Sequence, residues 1–105
     1  MLEKALILAA KAHTGQVDKG GAPYILHPIR VMLACEGEKE KIVALLHDTL
    51  EDTALTAADL RRAGFSEEIV QAVCCLTRGQ KEDYMDYIAR ICENALAARV
   101  KYADL

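Results

Sequence analysis

The sequence predicts an all-α domain, a compact bundle of about six or seven short helices. Alanine and leucine are abundant and β-branched residues are sparse, a composition that favours helices. Apolar residues recur three and four positions apart, and no segment alternates in the way that a half-buried strand does. The length of 105 residues suits one domain that buries a core without disulfides, so we expect residues 1–105 to form a single unit.

Composition and charge argue against several classes of partner. The net charge of -3 gives no broad basic surface for nucleic acid, and a small anionic substrate would need a local cation or a metal. The apolar run near the N-terminus is too short for a membrane span and has no signal-peptide cleavage pattern. We expect reduced, buried thiols and a cytoplasmic protein, because no CxxC spacing links the four cysteines, Cys35, Cys74, Cys75 and Cys92.

The first third of the chain reads as two helices separated by a flexible loop. Residues 2–13 are apolar around most of a helical circumference, which predicts a buried first helix. Three glycines and one proline make 14–24 a loop, and Lys19 lies at its middle. The loop is either an anion-binding segment or a plain connection. Pro28 suits the first turn of a second helix, which Gly37 would end.

The central stretch His47–Asp52 contains one imidazole and three carboxylates within six residues, and we expect it to continue a helix over 38–53. Residues three and four apart share a helix face, so His47 and Asp48 would both lie above Glu51. Acids clustered beside a buried stripe need a cation or protons to neutralise them. A divalent metal is the simplest neutraliser, and a solvated acidic helix end is the alternative.

Capping signals divide the second half of the chain. Thr56 begins a capping box for a short helix that stops at Gly64. Ser66 has two glutamates after it and caps the next helix. An amphipathic pattern then runs over 82–103 and is expected to bend near Asn94.

Two further residues extend the candidate site. His27 lies at the entrance of the second helix, where a lone histidine is more often structural than a ligand. Asp104 would be unfavourable at a helix C-terminus unless it had another role. Two imidazoles and two carboxylates from three helices suit Mn²⁺, Fe²⁺, Mg²⁺ or Zn²⁺ if they converge. These four residues are His27, His47, Asp48 and Asp104.

Four motifs together resemble the hydrolase domain of the RelA/SpoT proteins and of their small relatives, the small alarmone hydrolases and the metazoan SpoT homologue. The resemblance covers essentially the whole chain. It implies the HD-domain helical bundle and manganese-dependent removal of the 3′-pyrophosphate of ppGpp or pppGpp, which yields GDP or GTP. The motifs, in family order, are Ala12–Gln16, Pro23–Pro28, His47–Thr53 and Lys101–Leu105.

The resemblance also implies a role for each site residue. Glu51 and Asp52 match the acidic pair that positions or deprotonates the attacking water. Lys19 matches a basic residue of the nucleotide pocket. The metal ligands would be His27, His47, Asp48 and Asp104.

The chain departs from the family pattern in two places. Asp18 stands where these hydrolases typically have an arginine beside the guanine base. The family continues beyond the position of Leu105 with another helix, so we expect a domain that is truncated at its C-terminus. A synthetase domain is not expected within this length. Two other functions fit the same residues, namely hydrolysis of another nucleotide or phosphoester and weak nucleotide binding in a regulatory module.

Overall fold

Eight helical segments account for the regular structure of the protein, and no strand is present. The computed structural model describes residues 1–105. Outside the helices, the only sheet-like pairing is an isolated bridge between Val17 and Pro23. The all-α prediction is therefore confirmed. The segments are α1 (Leu2–Ala12), α2 (Leu26–Leu33), α3 (Glu38–Leu46), α4 (Thr49–Asp52), α5 (Ala57–Arg62), α6 (Glu67–Leu76), α7 (Tyr84–Cys92) and α8 (Ala95–Ala103).

Helix α3 is the centre of the core. Its residues 42–46 are all buried, and α1, α2, α6 and α8 pack around it. Burying a Leu or Val side chain contributes about 1.5–3 kcal/mol, so this short helix provides a large share of the apolar stabilisation. Its C-terminal end is consequently held in a fixed place relative to four other helices.

The predicted continuous helix over 38–53 is wrong, because the helix breaks at His47 and Asp48. His47 Nδ1 lies 2.5 Å from the Ala44 carbonyl oxygen, the acceptor that the Asp48 amide would use in a continuing helix. The Thr49 hydroxyl donates to the Leu46 carbonyl over 2.7 Å. Side chains that take up backbone acceptors compete with the helical ladder, and here they end α3 and leave α4 as a single turn.

Helix α1 also differs from its prediction, since it lies on the surface rather than inside. Only Ala5 and Ala9 are buried, whereas Leu6 is 38% exposed and Ile7 is 56% exposed. The small alanine side chains let α1 approach α3 closely on one side. Leu2 and Leu8 pack partly against the core, whereas Leu6 and Ile7 face outward. With 11 residues α1 is the longest helix, and no helix in the structure has the length and apolarity needed to cross a membrane.

The predicted caps are formed by the expected side chains. Thr56 and Asp59 make the reciprocal capping box at the start of α5, and the Ser66 hydroxyl accepts the Ile69 amide at the start of α6. Each such cap contributes about 1 kcal/mol. Asn94 accepts the Ala97 amide and begins α8, so the predicted bend is a complete break between two helices.

All four cysteines are free, in agreement with the absence of a disulfide pattern. The expectation that they are buried holds only for Cys35. Cys74 and Cys75 are partly buried, and Cys92 is exposed at the last residue of α7. Helix α7 buries only Tyr87 and Ile91, and Cys92 lies outside that buried face.

Candidate metal centre

The four predicted ligands meet at one end of the helical bundle. His27 Nε2 lies 3.1 Å from Asp104 Oδ1 and 3.7 Å from Asp48 Oδ2. His47 Nε2 lies 3.2 Å from Asp48 Oδ2 and 3.8 Å from Asp104 Oδ2. The structure therefore brings together side chains that are up to 77 residues apart in sequence, since 104 minus 27 is 77.

The packing of α2, α3 and α8 explains this convergence. His27 is the second residue of α2, while His47 and Asp48 directly follow α3 and Asp104 directly follows α8. Each of these helices packs against the other two. The Asp104 amide donates to the carbonyls of Val100 and Lys101, so the last turn of α8 holds Asp104 in place. An acid at this helix end costs about 0.3–1 kcal/mol, which a cation bound between Asp104 and the neighbouring imidazoles would offset.

His47 has the protonation pattern of a metal ligand. A carbonyl oxygen only accepts, so the contact with Ala44 places a proton on Nδ1, and in the neutral ring the lone pair is then on Nε2. His47 is 5% exposed, and its Nε2 has no hydrogen-bond partner. An unsatisfied buried acceptor costs about 1–3 kcal/mol, which a cation bound to that lone pair would offset. Metal-binding histidines commonly donate their other ring N–H to a carbonyl in this way.

The donor set as a whole fits a divalent cation. One ligand atom from each of His27, His47 and Asp104 lies within 4.8 Å of the others, and Asp48 Oδ2 lies beside both imidazoles. Two nitrogens and two carboxylates suit a hard or borderline divalent ion and do not distinguish one metal from another.

Glu51 and Asp52 lie on the single-turn helix α4, three and four residues after Asp48, and both are exposed. The pKa of Glu51 is raised, first by the loss of solvent on the side facing the protein and then by the charges of Asp52 and Asp48. A carboxylate with a raised pKa is a better proton acceptor near neutral pH than an ordinary glutamate. The pair therefore places two carboxylates, open to solvent, next to the candidate ligands.

Lys19 stands apart from the other six predicted site residues. It lies exposed near the tip of the α1–α2 loop and forms no side-chain hydrogen bond or ion pair. Asp18 closes this loop, because its Oδ1 accepts the amides of Gly20 at 2.8 Å and Ala22 at 3.0 Å. Gly21 has a φ of +87°, which only glycine adopts readily. The Oδ1 oxygen of Asp18 is therefore occupied by hydrogen bonds within the turn.

Tyr24 is a residue of the site that the sequence reasoning missed. Its hydroxyl donates to Asp48 Oδ2 over 2.6 Å, and its ring centre lies 5.7 Å from that of His27. Burial, and then the hydrogen bond and charge of Asp48, raise the pKa of Tyr24, so the phenol stays protonated. The available signal was its position three residues before His27 within the same motif.

Comparison with known proteins finds relatives that carry synthase and hydrolase names. No family model matches the chain. A protein named GTP pyrophosphokinase from Myxococcus xanthus is 36% identical over 77% of this chain and 11% of its own length. A guanosine-3′,5′-bis(diphosphate) 3′-pyrophosphohydrolase from Borreliella burgdorferi is 39% identical over 71% of this chain and 12% of its own length. The bifunctional (p)ppGpp synthase/hydrolase SpoT of Escherichia coli K12 is 33% identical over 98% of this chain.

The chain corresponds to a small part of these curated relatives and to most of one solved structure. It spans 17% of the length of the Escherichia coli protein. The structure is described as a metazoan ortholog of SpoT that hydrolyses ppGpp and plays a role in starvation responses. It superposes with a TM-score of 0.82 and 25% sequence identity, over 98% of this chain and 65% of that one.

Proposed function

The chain belongs to the RelA/SpoT family of HD-domain proteins, and from this premise we propose that it hydrolyses the 3′-pyrophosphate of ppGpp or pppGpp. The oxygen of a water molecule would bond to the phosphorus attached to the 3′-oxygen. The bond from that phosphorus to the 3′-oxygen would break, and the oxygen would take up a proton. The products would be pyrophosphate and GDP or GTP.

The observation that carries this proposal is the buried, unpartnered Nε2 of His47 at the meeting point of His27, Asp48 and Asp104. No group of the protein hydrogen-bonds to this nitrogen. In the neutral ring with the proton on Nδ1, the lone pair of Nε2 can bind a cation. No serine or cysteine nucleophile is needed when water is the attacking group. The arrangement therefore supports metal-assisted hydrolysis better than covalent catalysis.

We assign the residues as follows. The four side chains His27, His47, Asp48 and Asp104 would hold the divalent cation, which we propose to be manganese. When bound, the cation would polarise a phosphoryl oxygen and make a nearby water more acidic. Glu51 would accept the proton of the attacking water, and Asp52 would orient that water. Lys19, on its exposed loop, would attract the substrate's phosphates.

A second substrate class is favoured by Asp18. Its carboxylate closes the loop in front of Lys19, so this position offers no cationic surface for stacking on guanine. The same metal-assisted attack would serve another nucleotide or phosphoester. A weak nucleotide-binding module is the remaining alternative, and the solvent-open Glu51–Asp52 pair argues for catalysis instead.

The free cysteines support a reducing compartment, and we place the protein in the cytoplasm.

A hydrolysis screen tests the proposal. Purified protein is incubated with ppGpp, nucleotide mono- and diphosphates and a generic phosphodiester, with Mn²⁺ or with a chelator. Phosphate and pyrophosphate are measured separately, because their ratio identifies the bond that is cut. We expect pyrophosphate from ppGpp only when Mn²⁺ is present. Release of product from a different substrate would support the second class, and no product from any substrate would contradict catalysis.

A further inference from the structure

The α1–α2 loop is fastened to the His47–Asp52 segment at both of its ends. Gln16 Nε2 donates to the Asp52 carbonyl over 2.9 Å, and the Tyr24 hydroxyl donates to Asp48 Oδ2 over 2.6 Å. The Tyr24 amide also donates to the Gln16 carbonyl over 2.8 Å, which ties the two anchors together. The loop therefore braces the break between α3 and α4, where the helical ladder is interrupted.

The phenol contacts the oxygen of Asp48 that faces the candidate ligands. Asp48 Oδ2 is also the atom that lies 3.2 Å from His47 Nε2 and 3.7 Å from His27 Nε2. The Tyr24 ring is itself held, since its centre lies 4.9 Å from the His13 ring and 5.7 Å from the His27 ring. His13 is buried and its Nδ1 lies 2.9 Å from Gln16 Oε1, so the support behind Tyr24 is also ordered.

Two effects of this hydrogen bond oppose each other. A donor on Oδ2 withdraws some negative charge from a ligand oxygen and so weakens its attraction for a cation. The same donor stops the Asp48 carboxylate from rotating away from Asp104, the other acid beside these imidazoles. We expect the orienting effect to dominate, because Asp48 lies in the break between α3 and α4, where its backbone lacks the constraint of a continuing helix.

We propose that Tyr24 is a positioning residue, which fixes Asp48 Oδ2 toward the cation without binding the cation itself. The inference rests on the proposed function only in requiring that the site binds a divalent metal. Outer hydrogen bonds of this kind typically change metal affinity by about 10- to 100-fold. This positioning role would explain why a tyrosine stands three residues before the proposed ligand His27.

Tyr24→Phe tests this role, because it keeps the ring contacts and removes only the hydroxyl. Tyr102→Phe is the matched control, since Tyr102 is 79% exposed and forms no side-chain hydrogen bond. The dissociation constant for Mn²⁺ is measured for each protein by following the electron paramagnetic resonance signal of free Mn²⁺. We expect Tyr24→Phe to bind about 10- to 100-fold more weakly and Tyr102→Phe to bind like the unmodified protein.

A second readout separates positioning from a general effect on folding. The visible absorption spectrum of bound Co²⁺ reports ligand geometry, and it should change in Tyr24→Phe at saturating Co²⁺. A purely structural role would lower the melting temperature and leave that spectrum and the Mn²⁺ affinity unchanged, which would overturn the inference. No binding of Mn²⁺ by the unmodified protein would overturn both this inference and the proposed metal site.

The unmodified protein supplies a test that does not depend on how the variant folds. With ¹³C-labelled tyrosine, addition of diamagnetic Zn²⁺ should shift the Tyr24 ring resonance because its hydrogen-bond acceptor becomes a ligand. The resonance of the exposed Tyr102 should not move. An unchanged Tyr24 resonance in protein that binds Zn²⁺ would overturn the inference and leave the metal site standing.

Discussion

The two segments that carry the predicted chemistry are built in opposite ways. The His47–Asp52 segment follows the most buried helix of the protein, and side-chain hydrogen bonds to Ala44 and Leu46 fix its path. The tip of the α1–α2 loop is held by local bonds from Asp18 and leaves Lys19 exposed and without a partner. Geometry at the first segment comes from the core and from the two ends of the loop that are bonded to it, whereas at the loop tip it comes from the turn alone. We therefore expect changes in the first to alter metal binding and chemistry, and changes in the second to alter only substrate attraction.

The largest effect is expected from His47→Ala. It removes the nitrogen whose lone pair has no other partner, so metal affinity should fall by more than about 100-fold and hydrolysis should be lost. Metal content after purification, measured by inductively coupled plasma mass spectrometry, checks the first part. Equal and stoichiometric metal in the variant and the unmodified protein would show that His47 is not a ligand.

Glu51→Gln separates chemistry from metal binding within the same segment. Loss of a general base typically lowers turnover by about 10²- to 10⁴-fold, and we expect this fall with the metal retained. Glu93→Gln provides the control, because Glu93 is an exposed glutamate at the end of α7 without side-chain hydrogen bonds. Steady-state rates and metal content are compared for both variants. A fall of only two- or threefold, or a loss of metal, would remove Glu51 from the role of base.

Lys19→Ala tests the tip of the α1–α2 loop. A charge-assisted contact to phosphate contributes about 1.5–3 kcal/mol, so KM should rise about 10-fold or more while kcat and metal content stay unchanged. Lys4→Ala, on the exposed face of α1, removes the same charge at a distance and should have no effect. A fall in kcat instead of a rise in KM would mean that the loop tip takes part in the chemistry.

The smallest effect concerns the stability of the protein when a chelator has removed metal. The raised pKa of Glu51 means that the folded state holds its proton more tightly than the unfolded state does. Ionised Glu51 therefore destabilises the fold above its raised pKa, and this penalty disappears as the pH falls to the unfolded value of about 4.5. Glu51→Gln should raise the melting temperature at pH 7 and leave it unchanged near pH 4. The same gain at both pH values would point to a cause other than charge.

The sequence by itself determined the helical class and most helix boundaries, because these depend on neighbouring residues. The capping box of Thr56 and the caps at Ser66 and Asn94 are interactions over three residues, and they form as local chemistry requires. The exposure of α1 depended instead on which neighbour covers it. Its apolar residues could not reveal that only the side bearing Ala5 and Ala9 meets α3.

The candidate site depended both on the sequence and on the tertiary structure. Local pattern and resemblance grouped His27, His47, Asp48 and Asp104. Only the packing of α2, α3 and α8 brings each imidazole within 3.1–3.8 Å of both carboxylates. Periodicity predicted a helix through residues 47–52, since spacing carries no information about competition for a carbonyl. The His47 ring takes the carbonyl of Ala44, only three residues earlier, and this local contact breaks the helix. The tertiary structure decided that the other nitrogen of the ring lies beside the acids. Contacts between distant residues follow from how whole helices pack, and no local pattern contains that information.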